Sequence, residues 1–196
     1  MTQSLPSQKQ AFEIITAFAE KHDALIVPDI GSQSLWLKAV KDRVQNLYLS
    51  GPMGQASSLA LGVAVAHKNR LVIAACGDGA LGMNLTSLAT ISYAAPKNLI
   101  VAVLDNGVYE FTKGLPTPTL GVSWSDVPKT FPGFKASFQI DELDKIADPM
   151  AGPYFIHARI KPGELPPGPG LPAVIAHDRF KNYMVTEAAK LTKQEC

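Results

Sequence analysis

Cysteine is almost absent from this sequence: Cys76 lies inside an apolar run and Cys196 is the last residue. Two thiols so placed exclude a disulfide framework and fit a reducing compartment, the cytoplasm. Excess charge of one sign is missing too. Eighteen Lys and Arg stand against 17 Asp and Glu, a net charge of +1. That excludes an electrostatic nucleic-acid binder, which needs a basic surplus. Apolar runs such as Leu59–Ala66 fall far short of the ~18 residues of a membrane helix. No apolar segment of a secretory leader follows the start. The four histidines, His22, His67, His157 and His177, are scattered without metal-ligand spacing.

What is present is ordinary globular material, 46% hydrophobic over 196 residues, enough for one core and read as one domain, 1–196. Ser7 with Gln10 forms a capping box, and Phe12, Ile15, Phe18 and Ala19 share one face of a helix over about 7–21. A short strand is expected over 24–27, a helix over about 34–41 and a strand over about 46–49. Residues 55–67 are small and apolar nearly all round, the pattern of a helix buried on most sides. Leu71–Cys76 and Leu99–Leu104 are continuous apolar runs, suited to strands covered on both faces. A helix over about 83–94 joins them, giving a βαβ unit with parallel pairing. Residues 112–133 read as a long functional loop. A strand near 136–140, a helix over 141–147 and a strand over 154–160 follow. Residues 161–196 are expected to form an extended Pro/Gly-rich tail, crossing a neighbouring subunit, and a short helix. The fold class is α/β: an open, mostly parallel, six-stranded sheet flanked by helices.

Ligands of such sheets gather beyond the carboxyl ends of the strands. Gly77-Asp78-Gly79 ends one strand and Asn106 ends the next, so the two side chains can converge across 27 residues. A carboxylate and an amide oxygen are hard ligands suited to Mg²⁺, which also takes substrate phosphates. Gly77 and Gly79 let backbone N–H groups approach an anion. The composite expectation is a metal-bridged diphosphate. A competing local reading makes Asn106-Gly107 a hairpin turn with arms at 101–104 and 108–111.

Gly77-Asp78-Gly79, followed after 26 residues by Asn106, resembles the metal–diphosphate motif of thiamine-diphosphate enzymes. The resemblance implies Mg²⁺ held by Asp78, Asn106 and the main-chain oxygen of Val108. It implies diphosphate contacts from Gly31, Ser32, Gly77, Gly79 and Ala80, and Met53 as the bulky residue that keeps the cofactor bent. A narrower likeness, to the β subunit of sulfopyruvate decarboxylase and the C-terminal half of phosphonopyruvate decarboxylase, rests on four segments. These are Met53–Ser58, Met83-Asn84-Leu85, Pro116-Thr117-Pro118 and Asp178-Arg179-Phe180; Glu110–Lys113 departs from it. It implies a 2-oxo acid substrate with an anionic tail, for which Lys113 is the candidate cation, although a solvated surface lysine is the bland alternative. The activating Glu of that family sits on a pyrimidine-binding domain for which this sequence has no room. The resemblance therefore implies a separate partner subunit and a hetero-oligomer. An acetolactate-synthase-like carboligase subunit and a non-catalytic regulatory homologue remain open alternatives.

Overall fold

The computed structural model describes residues 4–194 except 164, 166 and 167. Cys196 and the prolines at 166 and 167 lie outside the described residues. The chain opens with α1 (Gln8–Lys21), β1 (Leu25–Pro28) and α2 (Ser32–Val40), followed by α3 (Ala56–Ala66) and β2 (Val72–Gly77). Two short helices, α4 (Asp78–Met83) and α5 (Thr86–Ala94), lead into β3 (Leu99–Asp105). A small hairpin, β4 (Val108–Tyr109) and β5 (Leu115–Pro116), precedes α6 (Val127–Thr130), β6 (Ala136–Gln139), β7 (Tyr154–Arg159) and α7 (Ala173–Gln194).

One sheet runs in the order β1-β2-β3-β7-β6, and every pairing in it is parallel. All thirteen residues of β2 and β3 are buried. Side chains alternate across a strand. Ile73, Ala75, Ile100, Ala102 and Leu104 therefore meet α1 and α2 on one face, while Val72, Ala74, Leu99, Val101 and Val103 meet α3, α5 and Trp124 on the other. This is why both runs are apolar without a break. α1 has the expected box, Gln10 N–H donating to Ser7 Oγ at 3.2 Å and Ser7 N–H to Gln10 Oε1 at 2.8 Å.

Several expectations are corrected. The sheet has five strands, not six: the segment expected as a strand over 46–49 makes a single parallel bridge, Asn46 to Ile26. The Asn46 amide turns instead to Lys41 O and Tyr48 Oη, which draws the backbone off the ladder. The helix expected over 83–94 begins at Thr86, and a separate short helix opened by Asp78 and ending at Met83 precedes it. Only Ala56, Ser57, Ala60 and Ala64 of α3 are buried, so one side of that apolar helix stays open, with Val65 51% exposed. The helix expected over 141–147 is a 3₁₀ segment, Ile140–Lys145. The short terminal helix is 22 residues long. It is tied down by Arg179, bonded to both oxygens of Asp42 at 2.8 and 2.9 Å, and by buried Phe180. The tail before it crosses its own chain: Lys161 N–H bonds Pro6 O, and Lys38 Nζ bonds Pro169 O.

Candidate functional site

The first three strands of the sheet deliver their carboxyl ends to one place. β1 runs into Asp29–Gln33, β2 into Asp78–Ala80 and β3 into Asn106–Val108. Together with Met53 they line a cleft of about 360 Å³. Every residue singled out in the sequence lines it except Lys113, which follows the last lining residue, Thr112, on an exposed turn. Asp78 and Asn106, 28 positions apart, are thus neighbours in space because β2 and β3 pair directly. The hairpin alternative fails: Val101–Leu104 belongs to the central strand, and Val108 pairs with Pro116.

Asp78 is 2% exposed, and its Oδ2 accepts from Thr117 Oγ1 at 2.6 Å and Thr119 Oγ1 at 2.9 Å. Both bonds fall on one oxygen, leaving Oδ1 for the cleft. Asn106 is held from both ends. Its Oδ1 accepts from Val108 N–H, and its Nδ2 donates to Glu110 Oε1, each at 2.9 Å. Those two partners settle which end of the amide is oxygen. Gly107 O accepts from Thr117 N–H, so Val108 and Pro116 form the next, non-hydrogen-bonded pair of the hairpin. In such a pair the N–H and C=O both point off the ladder. The Val108 N–H goes to Asn106, and its carbonyl is left for another partner.

The turn that carries Met53 is latched rather than loose. Asp29 is fully buried, and the Gly54 N–H donates to its two oxygens at 3.0 and 3.2 Å. On the other side Asn84 Nδ2 donates to Gly54 O at 2.8 Å. Gly54 has φ +82°, and a Cβ there would stand 2.6 Å from the Ala80 carbonyl, so only glycine fits. Burial lifts the Asp29 carboxyl above its usual range against the pull of the Ile30, Gly54 and Ala56 N–H groups. At Gly79 a Cβ would collide with the Tyr109 ring and with Thr117 Cγ2.

Thr119 and Gln33 were not picked out from the sequence, and no role at the site was given to Thr117 or Glu110; Asp29 belongs to the turn Asp29-Ile30-Gly31-Ser32 that resembles a diphosphate-contacting one, but its bond to Gly54 was not foreseen. Thr117 lies within Pro116-Thr117-Pro118 and Gln33 directly follows Gly31-Ser32, both segments already singled out. No sequence signal aims either one at Asp78 or at Gly77, where the Gln33 amide packs. Beyond the cleft, Asp105 at the end of β3 is bonded by His157 Nε2 at 3.0 Å and Arg159 Nη1 at 2.7 Å. Burial pushes its carboxyl up, but these two bonds outweigh that and hold it below its usual range. Among the described residues no three His, Cys, Asp or Glu side chains form a cage, so a metal here would draw on few protein ligands. The donor set, a carboxylate, an amide oxygen and a main-chain carbonyl, fits Mg²⁺ completed by phosphate oxygens and water.

An all-parallel sheet with a cleft at its carboxyl rim, mostly apolar and holding Asp78 and Asn106, describes an α/β ligand-binding domain. Residues 29–147 match the family described as thiamine pyrophosphate enzyme, C-terminal TPP binding domain, and the chain belongs to that family. It is 36% identical over 193 residues to a phosphonopyruvate decarboxylase of Streptomyces viridochromogenes, covering 94% of this chain and 48% of that protein. It is 36% identical over 155 residues to a sulfopyruvate decarboxylase subunit beta of Methanothermobacter thermautotrophicus, covering 79% of this chain and 82% of that one. The chain spans about half the length, 48% and 41%, of the two phosphonopyruvate decarboxylases it matches. In fold it is similar to the benzoylformate decarboxylase of Polynucleobacter necessarius, with a TM-score of 0.65 at 22% identity over 82% of this chain and 34% of that one.

Proposed function

We propose that this chain is the diphosphate-binding part of a thiamine-diphosphate- and Mg²⁺-dependent decarboxylase of 2-oxo acids with an anionic tail, of the sulfopyruvate or phosphonopyruvate type. The observation that supports the reading is that Asp78, Asn106 and Val108 line one cleft, with Asp78 Oδ1 and the off-ladder Val108 carbonyl not used by the hydrogen bonds that hold these residues.

In this reading Asp78 Oδ1, Asn106 Oδ1 and the Val108 carbonyl hold Mg²⁺. The backbone N–H groups of Gly31, Ser32, Gly79 and Ala80, at turns and a first helical turn where no intrahelical acceptor is available, bind the diphosphate oxygens, and Gly77 keeps the wall low. Thr117 and Thr119 keep Asp78 from rotating. Met53, fixed by the Asp29 latch, presents its thioether to the cofactor body and supports its bent shape. When bound, thiamine diphosphate supplies the nucleophilic carbon and the electron sink for loss of CO₂. Lys113 is the residue for the second anion of the substrate; its place on an exposed turn at the cleft's edge leaves it free to swing inward.

The activating Glu is supplied by a partner subunit carrying the pyrimidine-binding domain. Two features support that: relatives are named as beta subunits, and α3 with α5 leaves an uncharged face bearing Leu59, Val65 and Tyr93 exposed. No described helix is long and apolar enough to cross a membrane; the compartment in this reading is the reducing cytoplasm, where a free thiol such as Cys76 persists. The test is Asp78→Ala in calorimetric titration with thiamine diphosphate and Mg²⁺, with and without the partner. Mg²⁺-dependent binding should vanish while the circular dichroism stays that of the unaltered chain. An Asp78→Ala chain of unchanged affinity would falsify the metal assignment.

A further inference from the structure

Glu110 is the residue at this rim that the reading above leaves without work. One of its oxygens, Oε1, accepts from Asn106 Nδ2 at 2.9 Å. The other, Oε2, is buried without a hydrogen-bond partner. Glu110 lines the same cleft as Asp78 and Asn106. A buried carboxylate oxygen without a donor is costly, and native structures rarely tolerate one without a ligand or water to complete it. Of the cations near the rim, Arg159, whose Nη2 lies 3.8 Å from where a Cβ on Gly107 would stand, is bonded through Nη1 to Asp105, and Lys113 stands on an exposed turn.

We propose that Glu110 is a positioning residue of the divalent-cation site, its Oε1 orienting the Asn106 amide and its negative charge standing beside the ion. This rests on the diphosphate reading. Asn106 Oδ1 already accepts one bond, from Val108 N–H, and keeps its second lone pair for the ion only while Glu110 holds the amide from the Nδ2 end. A carboxylate in a cleft built for a diphosphate repels that diphosphate when no cation is present. With a divalent ion between them, both anions are attracted to it. The charge of Glu110 thus makes the cleft demand its metal: it weakens binding of the bare anion and strengthens binding of the metal complex.

That opposition of signs is what a merely structural side chain would not produce. The experiment uses the full chain, inorganic pyrophosphate and Mn²⁺ as probes, with Mn²⁺ occupancy read by electron paramagnetic resonance and pyrophosphate by calorimetry. The isosteric Glu110→Gln keeps size and acceptor but removes the charge. Its dissociation constant for Mn²⁺ at fixed pyrophosphate should rise about tenfold, and that for metal-free pyrophosphate should fall about threefold. Its ligand-free melting temperature should match the unaltered chain. Equal Mn²⁺ affinity in Glu110→Gln, or two shifts of the same sign, overturns the proposal. If Asp78→Asn loses Mn²⁺-dependent binding while Glu110→Gln does not, only the role of Glu110 fails. If the unaltered chain shows no Mn²⁺-dependent pyrophosphate binding, the diphosphate reading fails with it.

Discussion

The middle of the sheet and the polar groups at its carboxyl rim are both buried and built from opposite materials. β2 and β3 enclose only Val, Ile, Leu, Ala, Cys and Gly along their length, up to the terminal Asp105. A few residues further along the chain, Asp29, Ser32, Asp78, Asn106, Thr117 and Thr119 are buried and polar. In the middle, stability comes from apolar area and packing, which any side chain of suitable volume can supply. At the rim each polar group must be matched to a particular partner, because an unmatched one is costly. The atoms left over after that matching, Asp78 Oδ1, the Val108 carbonyl and Glu110 Oε2, belong to residues that line the cleft. The difference teaches that one layer of the molecule carries the fold and the next carries the chemistry.

If that division holds, substitutions should separate cleanly. The largest effect belongs to the interior. Phe155 is fully buried against Trp124, with ring centroids 6.1 Å apart, and against Phe134 at 6.0 Å. Phe155→Ala should cost about 3–5 kcal/mol in denaturant unfolding, yet the chains that remain folded should bind the Mg²⁺–cofactor complex normally. Weakened binding in that folded fraction would break the comparison.

Asp29→Ala sits on the boundary. It removes the acceptor of the Gly54 N–H and should cost about 1–3 kcal/mol, with weaker cofactor binding as the Met53 turn loosens. The sign of its pH dependence also follows. Because burial raises the folded pKa of Asp29, its proton is held more tightly folded than unfolded. That contribution is complete below the ordinary aspartate range and is lost as pH rises through the raised value. Asp29→Asn should flatten this part of the stability–pH curve, which urea titrations from pH 3 upward would show (a range of about 3–7 brackets the ordinary carboxylate pKa).

Thr117→Val and Thr119→Val sharpen the contrast further. Each should cost about 1.5–3 kcal/mol of stability, since one hydrogen bond to the Asp78 carboxylate is lost. Their effect on Mg²⁺ affinity should be the larger one, because Asp78 then rotates freely. The smallest effect lies far from the rim. Hydrogen bonding to Arg179 holds Asp42 below its usual pKa. The stability it adds is present above about pH 4 and is lost as pH falls through the lowered value. The pair is partly exposed, so Asp42→Asn should cost no more than about 1 kcal/mol at neutral pH, and the acid side of the curve should lose that dependence.

Legibility in the sequence follows the same boundary. The interior strands were readable because a parallel strand covered on both faces shows an unbroken apolar run, as in Val72–Cys76 and Leu99–Leu104. α1 was readable from its capping box and its spacing. The segment 46–49 was not: its apolar alternation is a strand's, but the hydrogen bonds of Asn46 to Lys41 and Tyr48 are decided by where those residues lie in space. α3 looked like a helix buried on most sides, since its composition cannot say how many neighbours it has. The cleft residues Asp78, Asn106 and Met53 were legible through a motif of wide spacing. Thr117 and Thr119 were not, because 39 and 41 residues separate them from the carboxylate they hold.

By itself, then, the order of amino acids determined that the two unbroken apolar runs become the central strands, that these pair in parallel, and which oxygen-bearing side chains stand at their ends. Those outcomes are local: they follow from periodicity and from the geometry of a crossover between consecutive strands. Only the tertiary structure decided which oxygen of Asp78 is consumed and which is left, which way the Asn106 amide faces, and that Glu110 keeps a buried oxygen without a donor. Hydrogen bonds between residues distant in the chain depend on three-dimensional approach to within a few tenths of an ångström, and no linear pattern encodes that.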